Sequence, residues 1–233
     1  MHFGNQELQV LSFERSVERF CEFKSKTEIA HFDQENSIYW NMSFQGEESL
    51  NEKNFVIRQF NKIPFEHRLR LRRWETPIKL LSYESLLEDP SFENYISQIS
   101  THSSDGRQWS DVPAVTANPR RWGAGIWILS KKLHLPGSEN LFQHEFAHAL
   151  DWLINDDRFT SAVLWKAFVK EESTKKFLEK ICGDYCLEQD DEAFAEIYAF
   201  YYSCEASRNY MLKAIPAFEN ILNVINSDLK KSK

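Results

Sequence analysis

Glycine is scarce in this sequence, with 7 in 233 residues. That scarcity excludes a Gly-rich phosphate loop or a flexible linker. Positive charge is in deficit too: 28 Lys and Arg stand against 35 Asp and Glu, for a net charge of -7 and an isoelectric point near 5.6. Such a balance argues against nucleic acid or an anionic membrane surface as a partner. No apolar run is long enough to span a bilayer. The four cysteines, Cys21, Cys182, Cys186 and Cys204, form no C-x-x-C pair and fit no structural zinc spacing. They read as buried or half-buried thiols, with a disulfide expected only in an exported protein. The first 20 residues lack an apolar core segment and carry acids early, so they are not a signal peptide as written. A cytoplasmic protein, a removed leader or another export route all satisfy that observation.

Large apolar side chains are plentiful. Hydrophobic residues make up 42% and aromatics 14%, with 18 Phe and 7 Trp. A chain of this length and content buries one full core, so residues 1–233 read as a single domain. Within it, 1–54 form a lead-in, 55–137 an α/β lobe and 138–233 a helical lobe. Apolar spacing predicts a helix over 8–24, and residues 31–54 suggest a short strand among loops. One helix, or two around Pro64, is predicted over 55–74. Ile78 to Ser82 reads as a buried strand and 83–100 as helical in parts. Residues 101–123 are loop-like, with Gly106, Pro113 and Pro119 as breakers. Gly125 to Ser130 reads as a strand at or near a sheet edge. Further helices are predicted over 138–154, 159–181, 190–202 with Asp190 as its cap, and 208–227, with a break at Gly183-Asp184.

The chemistry concentrates in the helix over 138–154. Ser138 is a suitable N-cap after Pro136-Gly137. Within the helix, His144-Glu145-Phe146-Ala147-His148 is an H-E-x-x-H. Residues four apart share a helix face, so both imidazoles can point at one metal ion with Glu145 beside them. A catalytic zinc takes three protein ligands and leaves one position open. The helix over 190–202 offers Glu192 as the third ligand, with Glu196 one turn on to hydrogen-bond a ligating histidine. Both acids sit in an apolar run, and buried carboxylates need partners. Asp151, three residues past His148, is either another outer partner of the site or a solvent-facing acid.

HEFAHALD followed by DDEAFAEIYAFY resembles the lethal-factor-type zinc metallopeptidases, a group that includes anthrax lethal factor and the clostridial Pro-Pro endopeptidases. The resemblance spans roughly residues 55–227. It implies Zn²⁺ held by His144, His148 and Glu192, with Glu145 as general base. Tyr185, seven residues before Glu192, matches the tyrosine that stabilises the oxyanion in that group. Trp109-Ser110-Asp111-Val112-Pro113 matches a W-x-D-V-P turn whose tryptophan packs on bound peptide. Ala114-Val115 depart from the glycines that usually follow that turn. The fold implied is α+β and zincin-type: a small mixed sheet, an edge strand beside the metal helix and a helical C-terminal lobe. Gly125, Ile126 and Trp127 are the expected substrate strand, taking the peptide main chain by β-augmentation. A zinc-dependent endopeptidase follows, toxin-like and monomeric, with a peptide or protein substrate. The group is typically exported. A zinc-stabilised peptide-binding module without activity is the alternative, and a hydrolase of a non-protein amide is a second one.

Overall fold

The computed structural model describes residues 42–45, 50–73, 76–99, 108–117, 125–129, 140–154 and 171–231. The predicted helix over 8–24, the Ser138 cap and the first part of 159–181 lie outside them. Strand β1 spans Met42–Gln45 and is followed by α1 (Leu50–Lys62) and α2 (Phe65–Arg73). Pro64 separates these two helices, because it lacks an amide hydrogen and restricts the residue before it. Next come β2 (Ile78–Leu81), α3 (Tyr83–Leu87), α4 (Pro90–Ile99) and a 3-10 turn at Trp109–Asp111. Strands β3 (Ala114–Thr116) and β4 (Ile126–Leu129) precede the metal helix α5 (Leu141–Ile154). The rest is helical: α6 (Glu172–Cys182), α7 (Asp184–Glu188), α8 (Asp190–Ser203), α9 (Glu205–Ala214) and α10 (Phe218–Lys231).

The described strands form one mixed sheet in the order β1-β2-β4-β3. The first three are parallel, and β3 runs antiparallel to β4, with Thr116 opposite Ile126. Alternation along β4 divides its side chains between two cores. Ile126 and Ile128 join the large helical core, whereas Trp127 and Leu129 join a smaller core with Leu81, Leu86, Phe92 and Trp109. The α+β class and the helical C-terminal part agree with expectation.

The sheet order corrects one expectation. The strand after Gly125 is interior, bonded to β2 on one side and β3 on the other. Among the described strands β3 is the edge on that side and β1 the edge on the other, and the sequence offered β3 only as loop. Gly125 therefore has a packing role: a Cβ there would sit 1.7 Å from the carbonyl oxygen of Pro77, which accepts from the Ile126 amide at 2.9 Å. Gly125→Ala must push β4 off β2, and a loss of about 3 kcal/mol is expected from such overpacking. Urea denaturation measures it, and a loss below about 1 kcal/mol would show that the strands can part without cost.

Three smaller corrections follow from local chemistry. Asn140 caps α5 through its side chain, accepting from the Gln143 amide at 3.3 Å. Helix α8 takes Gln189, not Asp190, as its cap residue, and Pro216 divides the predicted helix over 208–227 into α9 and α10. Gly183, at φ 67°, ends α6 in the conformation glycine adopts most easily. Cys182 and Cys186 flank this break and are joined in a disulfide, while Cys204 keeps a half-buried thiol that accepts from Ser207 Oγ.

Candidate metal centre

Helix α5 is buried on nearly every side, as expected for a central helix. Phe142, Phe146, Ala149 and Leu150 enter the large core. Gln143 ties α5 to its neighbours by donating from Nε2 to the carbonyls of Tyr202 at 3.0 Å and Gln59 at 3.4 Å. Helix α8 packs along α5, with the Phe146 and Tyr198 rings stacked 17° from parallel. Tyr198 is fixed from behind: its hydroxyl lies 2.9 Å from His67 Nδ1, and His67 Nε2 lies 2.8 Å from Asn226 Oδ1. Burial holds His67 below its ordinary pKa, consistent with a neutral ring that donates from Nε2 and accepts at Nδ1. His67 sits among the arginines of α2, and no local motif in the sequence marks it.

Across the α5–α8 contact, three donor atoms converge. His144 Nε2 lies 3.1 Å from His148 Nε2 and 3.1 Å from Glu192 Oε2, and His148 Nε2 lies 3.6 Å from the same oxygen. Two donors each about 2.1 Å from a tetrahedral ion stand about 3.4 Å apart. The observed triangle fits one such ion, and these residues are the potential metal group among those described. The nitrogen and carboxylate donor set suits zinc.

The surroundings favour a cation. Glu196 Oε1 lies 2.9 Å from His144 Nδ1, a short contact bent away from hydrogen-bond geometry. That nitrogen is the one turned away from the cluster, which places Glu196 behind the ring and Glu192 in front of it. Burial lowers the His144 pKa, but Glu196, Glu192 and Glu145 outweigh it and hold the imidazole well above its usual value. Burial likewise opposes ionisation of Glu192, yet the two histidines hold its carboxyl well below the carboxylate range. Three carboxylates thus surround the two imidazoles with negative charge.

Glu145 is buried beside the cluster. Oγ1 of Thr116, on β3, lies 2.7 Å from Glu145 Oε2 and 3.0 Å from the Glu145 carbonyl. Tyr95 also faces Glu145: burial raises its hydroxyl pKa and the Glu145 charge raises it further. Neither Thr116 nor Tyr95 was singled out from the sequence, and no local motif marks them.

The other expected residues divide. Asp151 is 1% exposed, which excludes the solvent-facing reading. Tyr185 lies on α7, directly before Cys186 of the disulfide, and its side chain is outside the described residues. Trp109 does not offer an open face. It is 7% exposed and packs edge-to-face on Phe92 and Tyr95, at 5.5 and 6.0 Å between centroids. Ile126 and Trp127 are 0% and 1% exposed, their side chains committed to the two cores and their backbone to the sheet. With Gly125 packed against Pro77, none of the three forms a substrate strand.

An H-E-x-x-H helix with a glutamate from the downstream helix α8, set beside a small mixed sheet, defines the class of this site. Residues 34–223 match the family described as anthrax toxin lethal factor, N- and C-terminal domain. The chain belongs to that family. It is 27% identical over 173 residues to the Pro-Pro endopeptidase of Clostridioides difficile (strain 630), covering 73% of this chain and 74% of that protein. The structure of the Pro-Pro endopeptidase from Paenibacillus alvei shares the fold, with a TM-score of 0.63 at 20% identity. That likeness covers 78% of this chain and 96% of the other.

Proposed function

We propose that this protein is a zinc-dependent endopeptidase of the zincin type. The observation that carries the reading is the triangle of His144, His148 and Glu192 with Glu145 alongside it. When bound there, zinc would lower the pKa of a water molecule towards neutrality and polarise the scissile carbonyl. Glu145 takes the proton of the attacking water and hands it to the leaving amine. Glu196 keeps the His144 ring in the ligating orientation. The peptide main chain adds to the side of β3 that no described strand occupies, the other side being bonded to β4. This reading moves the substrate strand from 125–127 to 114–116.

Tyr185 is proposed as the hydroxyl that stabilises the tetrahedral oxyanion. Tyr185→Phe should lower kcat by on the order of 100-fold with zinc retained, as loss of one such donor does elsewhere. A rate equal to that of the unaltered protein would remove Tyr185 from the mechanism. The Cys182–Cys186 disulfide beside it supports an exported protein, since such bonds persist in oxidising compartments.

Both relatives are named Pro-Pro endopeptidases, so proline-proline bonds are the first substrates to try. The deciding experiment is metal analysis of the purified protein together with cleavage of a mixed peptide library enriched in Pro-Pro sequences. One zinc per chain and defined internal cleavage support the proposal. Zinc without turnover would favour a peptide-binding module, and a protein that binds no zinc would remove both readings.

A further inference from the structure

We propose that Thr116 is a positioning residue for Glu145, anchoring one carboxylate oxygen of the base from the strand that receives the peptide. The inference rests on the peptidase reading and deepens it. Three observations carry it. The first is distance: Oγ1 of Thr116 lies 2.7 Å from Glu145 Oε2 and 3.0 Å from the Glu145 backbone oxygen. A hydroxyl has one proton, and the nearer oxygen, on the side chain, is the better placed to accept it. Placed between these two oxygens, Oγ1 fixes how the side chain folds over its own backbone.

The second is burial. Glu145 is 6% exposed and Thr116 is 8% exposed, so the pair is largely shielded from water. A carboxylate there depends on protein donors for its position. With Oε2 held by Thr116, Oε1 is the oxygen left to take the proton of the attacking water.

The third is register. Ala114 belongs to the core shared with α5, whereas Val115 packs against the smaller core. Alternation therefore turns Thr116 back towards α5. The strand cannot slide, because Ala117 N donates to Gly125 O at 3.1 Å at one end and Leu129 N to Pro113 O at 2.9 Å at the other. A one-residue slip would send the hydroxyl to the opposite face. The base is thus tied to β3, and a peptide bound along β3 and the base that acts on it share one reference frame.

Thr116→Val keeps the branched shape and strand preference while removing the hydroxyl. Thr116→Ser keeps the hydroxyl, and Thr116→Ala removes it with less bulk. Each is compared with the unaltered protein in zinc content, thermal unfolding, and kcat and KM on a peptide from the library. The expected result is a fall in kcat of about 10- to 100-fold for Val and Ala, the scale of a misplaced catalytic group. KM and zinc content stay unchanged, and Ser recovers most of the rate. Combined with Glu145→Ala, Thr116→Val should cost nothing further, since a positioning residue has no role without its base. Unchanged kcat in Val, no recovery in Ser, or a full additional loss in the double variant would overturn the proposal. Loss of zinc or of the folded transition in Val and Ala alike would assign Thr116 to the scaffold and overturn it too. These outcomes leave the peptidase reading intact, whereas an unaltered protein that cleaves nothing would remove that reading and this inference together.

Discussion

Replacing Glu145 with alanine should reduce peptide turnover by on the order of 10⁴-fold, the upper range for loss of a general acid–base group. Zinc should remain bound, because His144, His148 and Glu192 are untouched and their donor atoms stay 3.1 to 3.6 Å apart. Stability should change little. Glu145 is buried, and its removal takes an acceptor from the Thr116 hydroxyl, a loss of about 1 kcal/mol. The combination to measure is zinc stoichiometry, melting temperature and single-peptide kcat on the same preparation. Turnover persisting in the alanine variant would show that the proton is handled elsewhere and that the mechanism proposed here is wrong. Loss of zinc along with activity would mean that Glu145 supports the metal cluster and is not simply the base beside it.

Much of the centre was legible in the sequence because its key relationships are short-range. His144 and His148 are four apart on one helix, and that spacing survives any tertiary arrangement. Glu192 and Glu196 also lie four apart, and their apolar neighbours signalled burial. The sequence reads Glu192 as the ligand and Glu196 as the partner of a ligating histidine, and the geometry is compatible with that division: Glu192 lies on the Nε2 side of His144 and Glu196 on the Nδ1 side.

The strand order was not legible, and the reason is equally physical. Strand β3 is three residues long, too short for a period-2 pattern to stand out between Pro113 and Pro119. Whether β4 is an edge depends on what pairs with it, which is non-local. One clue was present: Ile126, Trp127, Ile128 and Leu129 are apolar without alternation, the pattern of a strand covered on both faces. An edge strand receiving a peptide has less need of that. The packing of Trp109 and Trp127 in the smaller core was hidden for a related reason, since an aromatic ring fits a groove and a core equally well until its neighbours are known. The Thr116–Glu145 contact is the furthest from sequence, because it requires the β3 register and the α5 position together.

Glu192→Ala offers the second large effect, and it separates the metal from the fold. The carboxylate supplies one donor of three, and its oxygen closes the triangle with both histidine nitrogens. Two imidazoles alone fall short of the three protein ligands a catalytic zinc requires. Loss of an outer partner typically weakens metal affinity by about 10- to 100-fold, so loss of a direct donor should exceed about 100-fold. Zinc should then leave on dialysis and peptide turnover should vanish. The helix itself should survive. Glu192 is only partly buried at the start of α8, whereas Tyr198 of α8 stacks on Phe146 of α5 and Phe194 and Ile197 lie in the core. Circular dichroism with metal analysis and a peptide assay reads all three properties. Retained stoichiometric zinc in Glu192→Ala would mean that another donor completes the site, and the assignment of the third ligand would fall.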